Sequence, residues 1–432
     1  MCNIELVIQY KDTHKTAFAV VHNKRKIIND PVHGFITISN DFIFDIIEHP
    51  YFQRLRYIKQ LGLTYMVYPG ASHSRFQHAL GAMHLMTQAV EMLKLKDIPI
   101  SDEEQQGLLL AILLHDIGHG PFSHALEHTL VSAISHERIS LFFIERMNAI
   151  FDNRLQLAEN IFANRHPKKF LHQLVASQLD VDRLDYLMRD SFFTGVSEGV
   201  ISTDRIIKML NVHRDEVVVD IKGIYSIEKF IVARRLMYWQ VYLHKTVLSA
   251  EHLLIRILNR AKYLAERGEA VFASPALEMF LKNRFTEQDF IGNPELLDVF
   301  AQLDDYDVFF SVKMWMRSAD KVLALLSQKL VNRNLLKIEI QNVPFDADYI
   351  GDLKQKTKQE YGLTDAEADY LVFTDEVANS AYNPVFDKIT MLHRDGRTED
   401  ITQSSDQINT ELLSRTIRKY FLCYPKEVIG KS

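Results

Sequence analysis

Apolar positions along this chain fall mostly at helical spacing, with strand-like runs near its beginning and its end. Ile27-Ile28-Asn29-Asp30-Pro31-Val32-His33-Gly34 reads as a short strand and turn, and helical spacing follows through 41–60. After a loop at Tyr68-Pro69-Gly70-Ala71-Ser72, the spacing predicts a helix over 76–95, with Leu80, Met83, Ala89, Val90 and Leu93 on its apolar side. Ser101-x-x-Glu104 is a capping box that starts the next helix. That helix is apolar on all sides from Leu108 to Leu114, so it is buried all round, and it ends at His115-Asp116 before Gly118 and Gly120-Pro121. Further helices are expected at 123–132, 136–149, 168–178 and 180–190. A single long one is expected over 225–267, with Phe230, Ala233, Met237, Val241, Leu248 and Leu254 facing the core. Val217-Val218-Val219 with Lys222-Gly223 suggests a small hairpin, and 338–340, 370–373 and 389–392 read as strands. The fold expected is mainly α, with an N-terminal extension at 1–25, a helical body at 26–330 and a smaller C-terminal α+β subdomain at 331–432.

Composition narrows the chemistry. With 47% hydrophobic and 25% charged residues over 432 positions, the chain is an ordinary globular protein. A net charge of −6 gives no bulk attraction to nucleic acid or to an anionic membrane, so neither is an expected partner. Any phosphate recognition must come from a local cluster of Arg, Lys and His. The two cysteines, Cys2 and Cys423, support neither a disulfide framework nor a cysteine-based zinc site. No run of 18 apolar residues occurs, and the expectation is a cytoplasmic protein.

Eight of the eighteen histidines lie between His73 and His136. A lone histidine on an apolar helix is usually a locally hydrogen-bonded core or surface residue, but this density is not accidental. His115-Asp116 puts an imidazole and a carboxylate at a helix C-terminus, where backbone carbonyls already carry partial negative charge. A cation there removes the conflict. One histidine from the preceding helix, His78 in Ser74-Arg75-Phe76-Gln77-His78, and one carboxylate from the later run 179–190 would complete a mixed nitrogen and oxygen set. Such a set suits one divalent Fe, Mn, Zn, Co, Ni or Mg ion. In that later run Asp182, Tyr186 and Asp190 share a helix face, and Asp180 precedes it as a cap.

The spaced H…HD…D pattern at 78, 115–116 and 182 resembles the HD-domain phosphohydrolase signature. The longer strings are more specific: Asn29-Asp30-Pro31-Val32-His33-Gly34, Phe52 to Leu61, Pro69 to His78, His115-Asp116-Ile117-Gly118-His119-Gly120-Pro121-Phe122-Ser123-His124, and Asp180 to Tyr186. They are similar to the deoxynucleoside triphosphate triphosphohydrolase branch of that family, over roughly residues 26–260. The resemblance implies an HD-domain helical bundle and a metal held by His78, His115, Asp116 and Asp182. It implies water attack on the α-phosphorus of a dNTP, with release of deoxynucleoside and triphosphate. His119, Glu127 and His136 match the catalytic positions: His136 is the general acid, and Glu127 stands where several relatives carry Asp. Gln60, Arg75, His124, Arg183, Tyr186, Asp190, Arg234 and Tyr242 match positions around the sugar and phosphates. Leu243 departs from the glutamine that vertebrate members carry beside the base. Lys26, Glu48, Gln53 and Arg56 match a GTP or dGTP activator site, with Glu48 for Asp, and the family assembles into dimers or tetramers. Two competing readings are a different HD phosphohydrolase, acting on nucleoside monophosphates, cyclic nucleotides or (p)ppGpp, and a non-catalytic nucleotide sensor.

Overall fold

The N-terminal hairpin forms where the apolar run and its turn residues place it. Strand β1 (Lys26–Asp30) pairs antiparallel with β2 (Gly34–Ile38). Gly34 takes φ of 73°, a conformation that a side chain would strain. Asp30 Oδ1 closes the turn by accepting the backbone N–H groups of Val32 and His33, each at 2.9 Å. The computed structural model of the chain describes residues 26–38, 40–122, 129–131, 134–379, 382, 388–405 and 416–429.

Helical spacing persists through 41–60, but one helix does not. α1 (Asp41–Glu48), capped by the Asn40 side chain, stops at His49, which is extended (φ −65°, ψ 137°) because Pro50 follows it. A helical turn Pro50–Gln53 and a tighter turn Arg54–Tyr57 continue the chain. Two long helices then form the centre of the molecule. α2 (Arg75–Leu95) packs between α3 (Asp102–Leu114) and a later helix, and α3 is buried at every position from Gly107 to Leu114. The capping box of α3 is complete: Glu104 N–H donates to Ser101 Oγ at 3.1 Å, and Ser101 N–H donates to the Glu104 carboxylate at 2.8 Å. The helix expected over 123–132 lies largely outside the described residues. α4 (His136–Ile150) starts at a Ser135 cap, followed by α5 (Gln156–Phe162) and α6 (Lys169–Val175). α6 ends earlier than its apolar spacing predicts. Ser177 N–H already donates to Asp180, whose other oxygen caps α7 (Val181–Thr194) through the Arg183 N–H at 2.7 Å. α7 is the helix that flanks α2 on its far side.

The small hairpin is β3 (Leu210–His213) with β4 (Glu216–Asp220). Its turn is Arg214-Asp215, both at positive φ, and not Lys222-Gly223, which sit in a short turn leading into the next helix. The single helix expected over 225–267 is in fact two. α8 (Ile224–Met237) runs into a π-type turn at Tyr238–Tyr242, and α9 (Lys245–Glu266) restarts after His244, which is extended at ψ 128°. The widened turn is tied down from outside the helix: Tyr68 Oη donates to the Gln240 carbonyl and Tyr242 Oη to Asp190.

Beyond α9, shorter helices lead to α10 (Lys321–Val331) and then to strands. β5 (Lys337–Gln341) and β6 (Phe373–Asn379) flank β9 (Ile417–Tyr424) in an antiparallel sheet. Of the strand expected at 370–373, only Phe373 is in one. The Thr364–Glu367 capping box starts a helical turn that still holds Tyr370 and Leu371 by backbone bonds at 3.2 and 2.9 Å. β7 (Thr390–Leu392) adds parallel to β4, and β8 (Thr398–Asp400) adds to β7, giving the order β3-β4-β7-β8. The protein is mainly α with a C-terminal α+β region, and one apolar cluster reaches from Ile36 to Cys423. No helix among the described residues is long and apolar enough to cross a membrane.

Candidate metal centre

His78 lies one turn into α2, His115 closes α3, and Asp182 stands in the first turn of α7. The packing of α3 and α7 on either side of α2 turns all three inward. The Nε2 atoms of His78 and His115 are 3.3 Å apart, and Asp182 Oδ1 lies 3.0 Å from the first and 3.4 Å from the second. Asp116 approaches the same two nitrogens at 3.8 and 3.5 Å. Ligand atoms each about 2.1 Å from a shared ion stand roughly 3.0–3.4 Å from one another. His78, His115 and Asp116 therefore have the spacing and the mixed donor character of a divalent-metal site, and Asp182 stands against the same two imidazoles.

The remaining ring nitrogens are occupied. His115 Nδ1–H donates to the Ile112 carbonyl at 2.6 Å, and His78 Nδ1–H donates to Asp185 Oδ2 at 2.7 Å. Both bonds leave Nε2 facing the cluster. Burial opposes protonation of His78, yet hydrogen bonds with Asp182 and Asp185 outweigh it and lift its pKa to about 10. Burial also opposes ionisation of Asp182, but the His115 and His78 hydrogen bonds hold its carboxyl well below the usual range. The cluster thus calls for positive charge, which protons or a divalent cation can supply.

The turn after Asp116 is pressed onto α4. A Cβ at Gly118 would lie 2.2 Å from the His136 carbonyl oxygen and 2.3 Å from the Ser140 nitrogen, so only glycine fits there. Gly118 N–H donates to Ser140 Oγ at 2.9 Å, and that hydroxyl donates to the His115 carbonyl at 2.8 Å. This clip lays the His119 ring on His136, with centroids 3.9 Å apart and planes 18° from parallel. His119 Nε2 also lies 3.2 Å from Asp116 Oδ1, so Asp116, His119 and His136 form a second close group. Burial, followed by the nearby Arg75 charge, pushes His119 well below the usual histidine range. Arg75 is paired with Asp116 itself, so the cation nearest to this carboxylate is the guanidinium expected to meet phosphate. His136 Nε2 lies 3.3 Å from Glu137. His124 and Glu127 lie outside the described residues.

The other residues singled out from the sequence fall into two groups. Tyr186 meets Tyr242 edge to face at 6.3 Å, and Asp190 accepts from Tyr242 Oη at 2.7 Å and from His73 Nε2–H at 2.8 Å. Arg183 donates to the Ser177 carbonyl at 2.8 Å. Gln60 sits beside His73, to whose carbonyl its N–H donates at 3.0 Å. Gln60 Oε1 and Arg234 Nε are buried without a hydrogen-bond partner among the described residues. The second group is on the surface around α1. Gln53 Nε2 donates to the Ile47 carbonyl at 2.7 Å, Arg56 donates to Gln53 Oε1 at 2.7 Å, and Lys26 lies over the Phe44 ring at 5.0 Å. Glu48 is exposed at the end of α1.

Family models match the stretch of chain that carries these residues. The HD domain model matches residues 75–190 and the HD associated region matches residues 201–270. The protein YwfO of Bacillus subtilis is 30% identical over 421 residues, 94% of this chain and 94% of its own. The chain belongs to the HD-domain phosphohydrolase family. A crystal structure of a phosphohydrolase from Bacteroides thetaiotaomicron superposes on this HD-domain protein with a TM-score of 0.90 and 52% identity, covering 93% of this chain and 100% of that one. The SAMHD1 homolog of Dictyostelium discoideum, named a deoxynucleoside triphosphate triphosphohydrolase, is 35% identical over 55% of this chain; the match spans 49% of that relative. The HD match begins at Arg75 and ends at Asp190, so it contains all four convergent groups. Arg234 and Tyr242 fall in the associated region.

Sequence reasoning gave no role to several residues that support this HD site. Asp185 and Arg189 stand one turn apart on α7, and the spacing was visible. Their partners His33 and Asp30 are more than 150 positions away in sequence, and only the fold brings them together. Arg54, beneath the turn at His119, and His73, on Asp190, were equally silent.

Proposed function

We propose that the protein is a metal-dependent dNTP triphosphohydrolase, with one divalent ion held by His78, His115, Asp116 and Asp182. The observation that carries this is that the Nε2 atoms of His78 and His115 lie 3.3 Å apart, each with carboxylate oxygens of Asp116 and Asp182 at 3.0–3.8 Å. The ion, when bound, acidifies water and polarises a phosphoryl oxygen. Around it the chain supplies the remaining functions. His136, stacked on His119 and only partly covered, is positioned to hand a proton to the leaving ester oxygen. Neutral His119, its Nε2 3.2 Å from Asp116 Oδ1, offers its ring N–H to a phosphate oxygen. Arg75 and Arg183 bring positive charge for the triphosphate, and Arg75 exchanges its Asp116 contact for a phosphate oxygen when substrate enters. Asp190, oriented by Tyr242 and His73, presents a carboxylate to the sugar side, where Gln60 Oε1 and Arg234 Nε have buried hydrogen-bonding capacity to spare. The SAMHD1 relatives supply the choice of dNTP over other phosphate esters.

The test is to incubate the metal-loaded protein with each dNTP, with and without GTP, and to separate the products. Deoxynucleoside with inorganic triphosphate is the expected result. Release of single phosphate or pyrophosphate assigns a different HD phosphohydrolase reaction, and tight nucleotide binding without turnover assigns a sensor.

A further inference from the structure

Behind His78 lies a buried ionic network that the reaction itself does not use. Asp185 accepts four hydrogen bonds. Oδ2 takes His78 Nδ1–H at 2.7 Å and Arg189 Nε–H at 2.8 Å, while Oδ1 takes His33 Nε2–H at 2.6 Å and an Arg189 terminal N–H at 3.0 Å. Arg189 extends across to Asp30, reaching its two oxygens at 2.7 and 3.2 Å. Asp30 in turn closes the β1–β2 turn through the Val32 and His33 N–H groups. Arg189, Asp185 and Asp30 are all buried, and the side chains of Arg189 and Asp185 are fully so. Gly81 on α2 makes room for them: a Cβ there would lie 2.1 Å from Asp185 Oδ1 and 2.2 Å from an Arg189 terminal nitrogen.

A network this costly to desolvate needs a return. Replacing a buried ion group with apolar side chains is commonly neutral or stabilising, so fold stability alone does not explain it. Its charges do. Two carboxylates against one guanidinium leave one net negative charge, and its two free bonding directions are filled by the N–H groups of His78 and His33. An anion bonded to Nδ1–H fixes the tautomer and rotation of His78 and makes Nε2 a stronger donor toward a cation. With all its bonding capacity filled, Asp185 cannot swing in as a ligand.

We propose that Asp185, locked by Arg189, Asp30 and His33, is the positioning residue that prepares His78 for metal capture, so that the N-terminal hairpin is a structural part of the metal centre. The proposal rests on the four-group metal site argued above. The hairpin contributes no ligand, and its two contacts, one from His33 and one from Asp30, hold the carboxylate that aims the ligand.

The experiment titrates Co(II) into the metal-free protein, reading the visible ligand-field spectrum and the dissociation constant by chelator competition. Asp185→Asn should weaken Co(II) binding by roughly 10–100-fold and alter the spectrum, because the amide is a poorer partner for Nδ1–H. His33→Ala, at the rim of the network, should weaken binding by about tenfold, and it carries the test if Asp185→Asn does not fold. His33→Gln, whose amide still donates to Asp185, should restore most of the loss, which a bulk packing effect would not do. Urea midpoints of the metal-free variants separate stability from metal affinity. Unchanged spectra and constants in Asp185→Asn and His33→Ala overturn the proposal if the wild type binds Co(II) and Asp182→Ala does not. A wild type that takes up no divalent ion overturns the metal site itself, and this proposal with it.

Discussion

Both terminal nitrogens of Arg54 donate to the carbonyl oxygen of His119, at 2.8 and 2.9 Å, and one of them also reaches the Ile117 carbonyl at 3.3 Å. Arg54 is 5% exposed, and its guanidinium lies over the rings of Phe143 and Phe300, 5.5 and 5.3 Å from their centroids. Burial pulls its pKa down to about 9, still charged at neutral pH. It therefore works as a rigid fork beneath the turn that joins Asp116 to His119. Arg54→Met should cost about 2–4 kcal/mol in urea unfolding, because it leaves two buried carbonyls without donors. Arg54→Lys should recover only part of this, since a single ammonium cannot reproduce the fork. An unchanged midpoint in Arg54→Met would show that the turn holds itself.

The metal assignment has a direct check. Asp182→Ala or His115→Ala removes one of four convergent groups, and the three that remain hold a divalent ion poorly. Both variants should lose metal by elemental analysis together with hydrolysis. Full occupancy in either one would remove that residue from the ligand set.

Protonation of the cluster predicts how metal uptake depends on pH. His78, its buried ring held charged by Asp182 and Asp185, has a pKa raised to about 10, and that of His115 is also raised. A cation needs the Nε2 lone pair that this proton occupies. Binding at pH 7 must therefore release protons, and affinity should fall as pH falls, by roughly tenfold per pH unit for each proton displaced. Titration calorimetry in two buffers of different ionisation heat measures the count directly. Zero released protons would mean that His78 is neutral before the ion arrives.

The parts of the site legible in sequence were those encoded locally. The apolar run ending in His115-Asp116 is one unbroken stretch, the Ser101–Glu104 box and the Asp180 cap each announce themselves within four residues, and all three are present. What sequence could not give were contacts closed by tertiary packing: His33 on Asp185, Arg54 under His119, Ser140 clipping the turn at Gly118. Helix continuity failed for a similar reason. Apolar periodicity runs unbroken through 225–267, but side chains elsewhere, Tyr68 and Asp190, hold the Tyr238–Tyr242 turn open. At 41–60 the signal was local after all: Pro50 fixes the break at His49.

His136 sets the catalytic prediction. Its ring is stacked on His119 and borders the Asp116 side of the cluster, yet it is not one of the four proposed ligands. If it protonates the leaving oxygen, His136→Ala should lower turnover by roughly 10²–10⁴ at unchanged metal content. Metal loss in that variant would move His136 into the ligand set, and wild-type turnover would make it a bystander.

Regulation is argued from the surface around α1. Arg56 lies 3.6 Å over the Phe76 ring, and Phe76 adjoins Arg75, the partner of Asp116, two residues before His78. Gln53 bonds both Arg56 and the Ile47 carbonyl next to Glu48, while Lys26 covers Phe44, one turn before Glu48 on α1. A guanine nucleotide held by Lys26, Glu48, Gln53 and Arg56 would press on the start of α2 without entering the metal centre. Because such a ligand acts only through its different affinity for two states, and a subunit interface is the natural two-state element, activation should accompany assembly into dimers or tetramers. GTP or dGTP should raise the hydrolysis rate of another dNTP and shift the protein to larger species in size-exclusion chromatography. Glu48→Ala deletes the acceptor for the guanine N–H groups, so it should abolish both responses while metal content and basal hydrolysis persist. Rates and elution profiles indifferent to guanine nucleotides in the wild type would leave these four residues as ordinary surface charges and the enzyme unregulated at this face.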